Sequence, residues 1–123
     1  MPETLTARHL AAILAADVAG YSRLMGTDEA GTLIQLKEHR REVWDQALQQ
    51  HRGRIANTAG DSILAEFPSV LDAVTCALAV QKATRQRNAA VTPDRRVEFR
   101  IGINLGEVIA YHFKGYHSVG CAM

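Results

Sequence analysis

The chain has 123 residues, of which 47% are apolar and two are cysteines, and its formal net charge at neutral pH is +1. This length and apolar fraction predict one folded domain, while the near-neutral charge argues against binding to nucleic acid, which needs a basic surface. Two cysteines are too few for a disulfide framework and no apolar run approaches the ~20 residues of a membrane span, so we expect a cytoplasmic protein with no transmembrane segment.

The first half of the chain predicts a strand, a long helix and a hairpin. Residues 9–17 are continuously apolar up to Asp17, as in a strand covered on both faces. Residues 26–53 read as a helix with Thr27 as N-cap and Gly53 as its stop signal, and its apolar stripe consists of Leu33, Leu36, Val43, Ala47 and Leu48. Two β-prone runs then flank residues 59–62, Ala-Gly-Asp-Ser, which indicate a hairpin turn.

The second half predicts a second helix followed by strands. Ser69 and Asp72 have the spacing of a capping box, and the helix behind them is predicted to present Val70, Val74, Ala77, Leu78 and Gln81 on one side. Two more strands are expected at Val97–Ile103 and Val108–Tyr111. The order βαββαβ predicts an α+β fold of the ferredoxin-like kind, with helices on one face of an antiparallel sheet. In this arrangement we expect the first strand to be central and to neighbour the strand that follows the first helix.

Two acidic residues stand at the ends of predicted strands and indicate a site. Asp17 ends the first strand and Asp61 lies in the hairpin turn, so their carboxylates can converge. Like charges at close range repel unless a cation lies between them, and Mg²⁺ prefers one or two carboxylates together with phosphates. Gly20 allows close approach to a ligand, so the N–H groups of residues 19–22 can face phosphate oxygens. From spacing alone, a helix N-cap at Asp17 and an ordinary turn at Gly20 are equally compatible with the sequence.

Three segments resemble the catalytic domain of class III adenylate/guanylate cyclases, and most of all the bacterial, rhizobial-type members. "LAAILAADVAGYSRLM" is similar to the first metal motif of that family, and "GRIANTAGDSILAEF" to the hairpin that carries the second metal aspartate. "RRVEFRIGINLGEVI" is similar to the strand that precedes the C-terminal catalytic segment. The resemblance covers about residues 8–109, in the order and with the spacing of the family.

The resemblance implies a metal-dependent enzyme. Asp17 and Asp61 are expected to be catalytic and to bind two Mg²⁺ or Mn²⁺ ions, with the backbone carbonyl of Val18 as a further ligand. The triphosphate is expected to be held by Ala19, Gly20, Tyr21 and Ser22. The implied reaction converts ATP, or less readily GTP, into a 3′,5′-cyclic nucleotide and pyrophosphate. Sites of this family form between two chains arranged head to tail, so a homodimer or a pairing with a complete cyclase domain is expected.

The sequence departs from the family pattern at three places. Asn57 stands where many adenylate cyclases have a lysine in the base pocket, and Ser62 replaces a glycine or alanine. The segment that carries the family's ribose-binding asparagine and transition-state arginine has no counterpart in residues 112–123. We therefore expect an N-terminal tail at 1–8, a partial cyclase domain at 9–111 that is incomplete at its C-terminus, and a divergent tail at 112–123. This leaves open whether the chain is active by itself.

Other interpretations remain open. The chain could be a non-catalytic module that binds metal and nucleotide or that pairs with a complete cyclase. A diguanylate cyclase is disfavoured because the turn reads "TAGDS" rather than GG(D/E)EF. A zinc site at His112, His117 and Cys121 has only three candidate ligands and is disfavoured, and Cys76 beside Ala77 is expected to be a buried structural thiol.

Overall fold

A computed structural model describes the backbone of residues 3–113 and 116–122 and the side chains of residues 10–107. Five strands and four α-helices follow one another, with a π-helical turn at Arg40–Trp44 and a 3₁₀ turn at Pro93–Arg95. Their bounds are β1 Glu3–Val18, α1 Tyr21–Thr27, α2 Glu29–His39, α3 Asp45–Gln50, β2 Arg54–Ala59, β3 Ser62–Phe67, α4 Val70–Asn88, β4 Phe99–Phe113 and β5 Tyr116–Ala122. Among the described residues, no helix has the length and hydropathy needed to cross a bilayer.

The strands form one antiparallel sheet in the order β2-β3-β1-β4-β5. The predicted α+β class is confirmed, and the first four strands have the ferredoxin-like order with β1 at the centre. The expectation that β1 neighbours the strand after the first helix is wrong, because β1 pairs with β3 and β4. The tight hairpin joins β2 to β3, β3 lies against β1, and β2 takes the sheet edge.

Two strands are longer than the apolar pattern predicted. β1 begins at Glu3 rather than at residue 9, and the predicted strands at Val97–Ile103 and Val108–Tyr111 are one strand, β4. Residues 116–122 form β5, which pairs with the outer part of β4. Residues 3–8 precede the apolar run and residues 116–122 have no counterpart in the family pattern, so both were expected to be tails, but backbone pairing extends the strands into them. The domain boundaries themselves stay predictions.

The predicted helix over 26–53 is interrupted. Helix α1 already begins at Tyr21, and Asp28 separates it from α2, where Oδ1 of Asp28 accepts the Gly31 N–H at 3.0 Å. The prediction of Thr27 as N-cap is wrong, since its hydroxyl donates back to the Arg23 carbonyl at 2.9 Å. Helix α3 ends at Gln50, and the left-handed residue after it is Arg52, with φ 61°. Gly53 comes one residue later and donates its N–H to the Leu48 carbonyl at 2.7 Å.

The core lies between the helices and one face of the sheet. Ser69 caps α4 as predicted, with its Oγ accepting the Asp72 N–H at 3.1 Å. The predicted apolar side of α4 is wrong, because its buried residues are Ala73, Cys76, Val80, Thr84 and Asn88, while Val70, Val74 and Leu78 are exposed. Small side chains on the sheet-facing side let the helix approach the strands closely. Cys76 is buried, and burial raises the pKa of its thiol to about 11, which fits a structural residue.

Candidate active site

Asp17 and Asp61 are brought together where β1 ends. Asp17 is the penultimate residue of β1, and Asp61 lies in the two-residue turn between β2 and β3. Gly60 occupies the first position of that turn with φ 57°, a left-handed conformation that glycine adopts without strain. Oδ2 of Asp61 accepts the backbone N–H of Val18 at 2.9 Å. The hairpin turn is therefore fastened to the residue that follows Asp17, and both aspartates lie at the same end of the strands.

Arg100 engages the carboxylate of Asp17 with a two-point contact. The two residues are register partners across β1 and β4, so their side chains leave the same face of the sheet. Nε of Arg100 lies 2.7 Å from Oδ1 of Asp17, and Nη2 lies 3.1 Å from Oδ2. These hydrogen bonds and the charge of Asp17 raise the pKa of Arg100, and the charge of Asp61 adds to the shift. Arg100 therefore contacts Asp17 directly and lies within electrostatic range of Asp61.

The segment after β1 has the predicted tight turn, but fewer of its N–H groups face outward than expected. Gly20 has φ 66° and directly precedes α1. The N–H of Ala19 is used within the fold, since it donates to the Glu98 carbonyl at 2.8 Å. The first bonded turn of α1 is closed by Leu24, which donates to the Gly20 carbonyl at 3.0 Å. The N–H groups of Tyr21 and Ser22 precede that bond and have no acceptor inside the helix. Tyr21 is partly buried and packs against the core, so its backbone N–H is the group that the turn offers to a ligand.

An open cleft of about 470 Å³ adjoins Asp17 and Arg100. Its floor includes Ala15 and Gly102, which are register partners one strand repeat away from the Asp17–Arg100 pair. Asn57 is exposed and lines the same cleft, beside a register irregularity in β2 between Ile55 and Asn57. An irregularity of this kind re-aims a side chain relative to its neighbours. The cleft therefore offers a carboxylate and a guanidinium at one end and an amide on its β2 side.

Arg100 and the irregularity beside Asn57 are the features of this site that the sequence did not predict. Arg100 stands in an alternating run, "FRIGIN", but its partner is defined only by the register between β1 and β4. Within residues 10–107, no three His, Cys, Asp or Glu side chains are grouped as metal ligands. The side chains of His112, His117 and Cys121, on which the zinc hypothesis rests, lie outside the described residues.

The donor chemistry of the site fits a hard divalent cation. Mg²⁺ and Mn²⁺ take carboxylate, carbonyl and phosphate oxygens, and both carboxylates lie at the same strand end. The hydrogen bond from Val18 uses only one oxygen of Asp61. On Asp17, however, both oxygens are occupied by Arg100. A cation that binds both aspartates must therefore compete with this guanidinium.

Comparison with known proteins places this arrangement in a family. No family model matches the chain. It is 44% identical, over 102 residues, to "Putative adenylate cyclase 3" of Rhizobium meliloti (strain 1021), a match that covers 83% of this chain and 17% of that protein. Among solved structures, it is 43% identical to an adenylate/guanylate cyclase/hydrolase from Silicibacter pomeroyi, with a TM-score of 0.76 over 90% of this chain and 63% of that one. The chain belongs to the adenylate/guanylate cyclase family.

More distant structures agree on the fold. The guanylyl cyclase Cya2 is 24% identical and superposes with a TM-score of 0.79 over 98% of this chain and 66% of that one. The chain spans less than two thirds of the solved cyclase from Silicibacter pomeroyi and about a sixth of the Rhizobium meliloti protein. The predicted resemblance to adenylate/guanylate cyclases is therefore confirmed for the family and the fold, whereas the roles of individual site residues stay predictions.

Proposed function

We propose that this chain is the metal-binding half of a nucleotidyl cyclase site, which acts on ATP, or less readily GTP, to form a 3′,5′-cyclic nucleotide and pyrophosphate. The observation that carries the proposal is the hydrogen bond from the Val18 N–H to Asp61, which holds the hairpin turn next to the residue that follows Asp17. The turn at Gly20 follows two residues later, and the cleft lined by Asn57 adjoins Asp17. Family membership supports the reaction class, since the relatives named above are described as cyclases.

The proposed reaction exchanges one phosphorus–oxygen bond for another. The ribose 3′-oxygen bonds to the α-phosphorus and loses its proton, while the bond between the α-phosphorus and the bridging oxygen breaks and pyrophosphate leaves. Asp17, Asp61 and the Val18 carbonyl would hold the two Mg²⁺ or Mn²⁺ ions. When bound, these ions favour ionisation of the hydroxyl and neutralise the charge that develops on pyrophosphate.

The residues of the chain have separate tasks in this scheme. The N–H groups at the start of α1 would bind phosphate oxygens, and Gly20 leaves room for their approach. The guanidinium of Arg100 is placed to contact a phosphate once it leaves Asp17. Asn57 can both donate and accept hydrogen bonds at a purine edge, so it suits a base pocket without choosing between adenine and guanine by charge. Pairing with a second chain would supply the remaining groups.

Binding tests the metal assignment without the need for turnover. We would measure the melting temperature with Mn²⁺ and 3′-deoxy-ATP, which lacks the attacking hydroxyl. At about 100 times the dissociation constant, ligand binding contributes about 2.7 kcal/mol, a rise on the order of 10 °C for a domain of this size. Asp61→Asn keeps an acceptor for the Val18 N–H but removes the charge, and it should abolish the rise. Asp45→Asn, which changes an exposed aspartate at the start of α3, is the matched control and should keep the rise.

Activity tests the reaction itself. The chain would be mixed with the cyclase from Silicibacter pomeroyi whose residues aligned with Asp17 and Asp61 are replaced by alanine. We expect the mixture to form cyclic nucleotide from Mn²⁺-ATP, and Asp61→Asn in this chain to remove that activity. An unchanged melting-temperature rise in both Asp17→Asn and Asp61→Asn would refute the metal site. Binding without turnover in the mixture would favour the alternative, a metal-nucleotide-binding or pairing module.

A further inference from the structure

The Asp17–Arg100 pair occupies the atoms that a metal ion would use. Both oxygens of the Asp17 carboxylate accept hydrogen bonds from one guanidinium, at 2.7 and 3.1 Å. The pair is not buried, since the side chains of Arg100 and Asp17 keep 70% and 43% of their accessible surface. Exposed pairs of this kind exchange partners at small cost. The guanidinium of Arg100 can therefore be displaced from the carboxylate, and the contact contributes little to the stability of the sheet.

Because the guanidinium of Arg100 is positively charged, it competes with a free cation for the Asp17 carboxylate. A divalent ion approaching Asp17 meets the positive charge of Arg100 and two carboxylate oxygens that each already accept a hydrogen bond from it. A guanidinium leaves a carboxylate most readily when another oxyanion replaces it, because phosphate and carboxylate offer the same two-point geometry. A nucleotide triphosphate at the neighbouring Gly20 turn would be such an oxyanion. Metal and triphosphate would then each remove an obstacle to the binding of the other.

We propose that Arg100 couples metal binding to nucleotide binding by holding the Asp17 carboxylate until a phosphate group takes its guanidinium. This inference rests on the proposed function and adds to it a mechanism for the order of binding. Free metal binds weakly while Arg100 occupies Asp17, and metal binds tightly once the triphosphate is present. By linkage, the metal raises nucleotide affinity by the same factor.

The deciding measurement is the affinity for Mn²⁺ alone, read from the free-ion signal by electron paramagnetic resonance. Arg100→Met keeps the length of the side chain but removes the charge and the donors. We expect it to bind Mn²⁺ more tightly than the wild type, by at least about fivefold, the lower end of typical coupling factors. A residue that only contacts phosphate would leave this affinity unchanged.

Matched variants separate the specific contact from a general charge effect. Arg52→Met removes the same charge from an equally exposed arginine, 73% accessible and paired with Asp72, and it should change Mn²⁺ affinity by less than about twofold. Arg100→Lys keeps the positive charge, so it should bind Mn²⁺ about as weakly as the wild type and less tightly than Arg100→Met. In an Asp17→Asn background the effect of Arg100→Met should disappear, because no carboxylate is left to release.

The reverse direction is measured with tripolyphosphate in the presence of a chelator. Arg100→Met should weaken its binding, while Asp17→Asn should strengthen it. Equal Mn²⁺ affinities of the wild type and Arg100→Met, in a chain that binds Mn²⁺ with 3′-deoxy-ATP, would overturn the coupling and leave the proposed function intact. Failure of the wild type to bind Mn²⁺ with 3′-deoxy-ATP would overturn both.

Discussion

Acidification should destabilise the chain through one buried histidine, His39. Its side chain is 3% exposed at the end of α2, and its ring meets that of Phe99 edge to face, with centroids 5.5 Å apart. Among the described residues, its Nδ1 has no hydrogen-bond partner. The pKa of His39 is lowered from 6.5 to about 4, mainly by burial and also by the charge of Arg87, while the charge of Glu42 opposes the shift. The neutral ring therefore fits the folded state, and the charged ring does not.

The size of the effect follows from linkage. The folded-state pKa is depressed, so the contribution of His39 to stability is fully present above the unfolded pKa of 6.5 and is lost as the pH falls toward 4. The shift corresponds to roughly 3 kcal/mol when the loss is complete. Between about pH 7.5 and about pH 5, the free energy of unfolding should fall by roughly 2 kcal/mol from this residue alone.

Urea unfolding of the wild type and His39→Leu at these two pH values measures the effect. The variant has no group to protonate at this position, so it should lose roughly 2 kcal/mol less than the wild type on acidification. His51→Leu replaces a half-exposed histidine that contacts Thr75 and should keep the pH dependence of the wild type. If His39→Leu and the wild type lost the same free energy between the two pH values, the assignment of the buried neutral ring would be refuted.

Two further substitutions test the packing of the fold. Gly53→Ala should cost roughly 1–3 kcal/mol in urea unfolding, because its Cβ would lie 2.5 Å from Cε2 of the buried Phe67 and 2.7 Å from Cδ2 of Leu48. Gly26→Ala, whose Cβ would meet nothing within 4 Å, is the control and should not destabilise; an equal loss in both would contradict the packing argument. Ser69→Ala should cost about 1 kcal/mol, because the Asp72 N–H at the start of α4 loses its acceptor, whereas Ser69→Thr should retain most of the stability.

Local signals predicted the two aspartates of the site. The hairpin turn was predictable because Gly60 and Asp61 fill a two-residue loop whose conformation depends on those residues alone. Asp17 was predictable because an apolar run ends on it. The capping box of Ser69 is equally local and was also predicted correctly.

Features that depend on distant partners were not predictable. The buried side of α4 is chosen by close approach to the sheet, so Ala73 and Cys76 face the strands while the larger Val74 and Leu78 are left exposed. Hydrophobic periodicity ranks side chains by polarity, and it gives no weight to how closely two backbones must approach. The pairing of Arg100 with Asp17 depends on strand register across 83 residues of sequence, which the residue pattern around Arg100 does not contain.

The fold holds the backbone of the site more firmly than it holds the paired side chains of Asp17 and Arg100, and this difference determines which part of the site can adapt to a ligand. At the end of β1, the Val18 N–H bonds to Asp61 on the β3 side and the Ala19 N–H bonds to the Glu98 carbonyl just before β4. The backbone is thus fixed from both sides up to the residue before Gly20, so the positions from which Asp17 and Asp61 project are set before any ligand binds. The side chains of Arg100 and Asp17 are paired with each other at an exposed position and can exchange partners. Adaptation to a ligand should therefore take place in these two side chains, while the backbone of the site stays fixed.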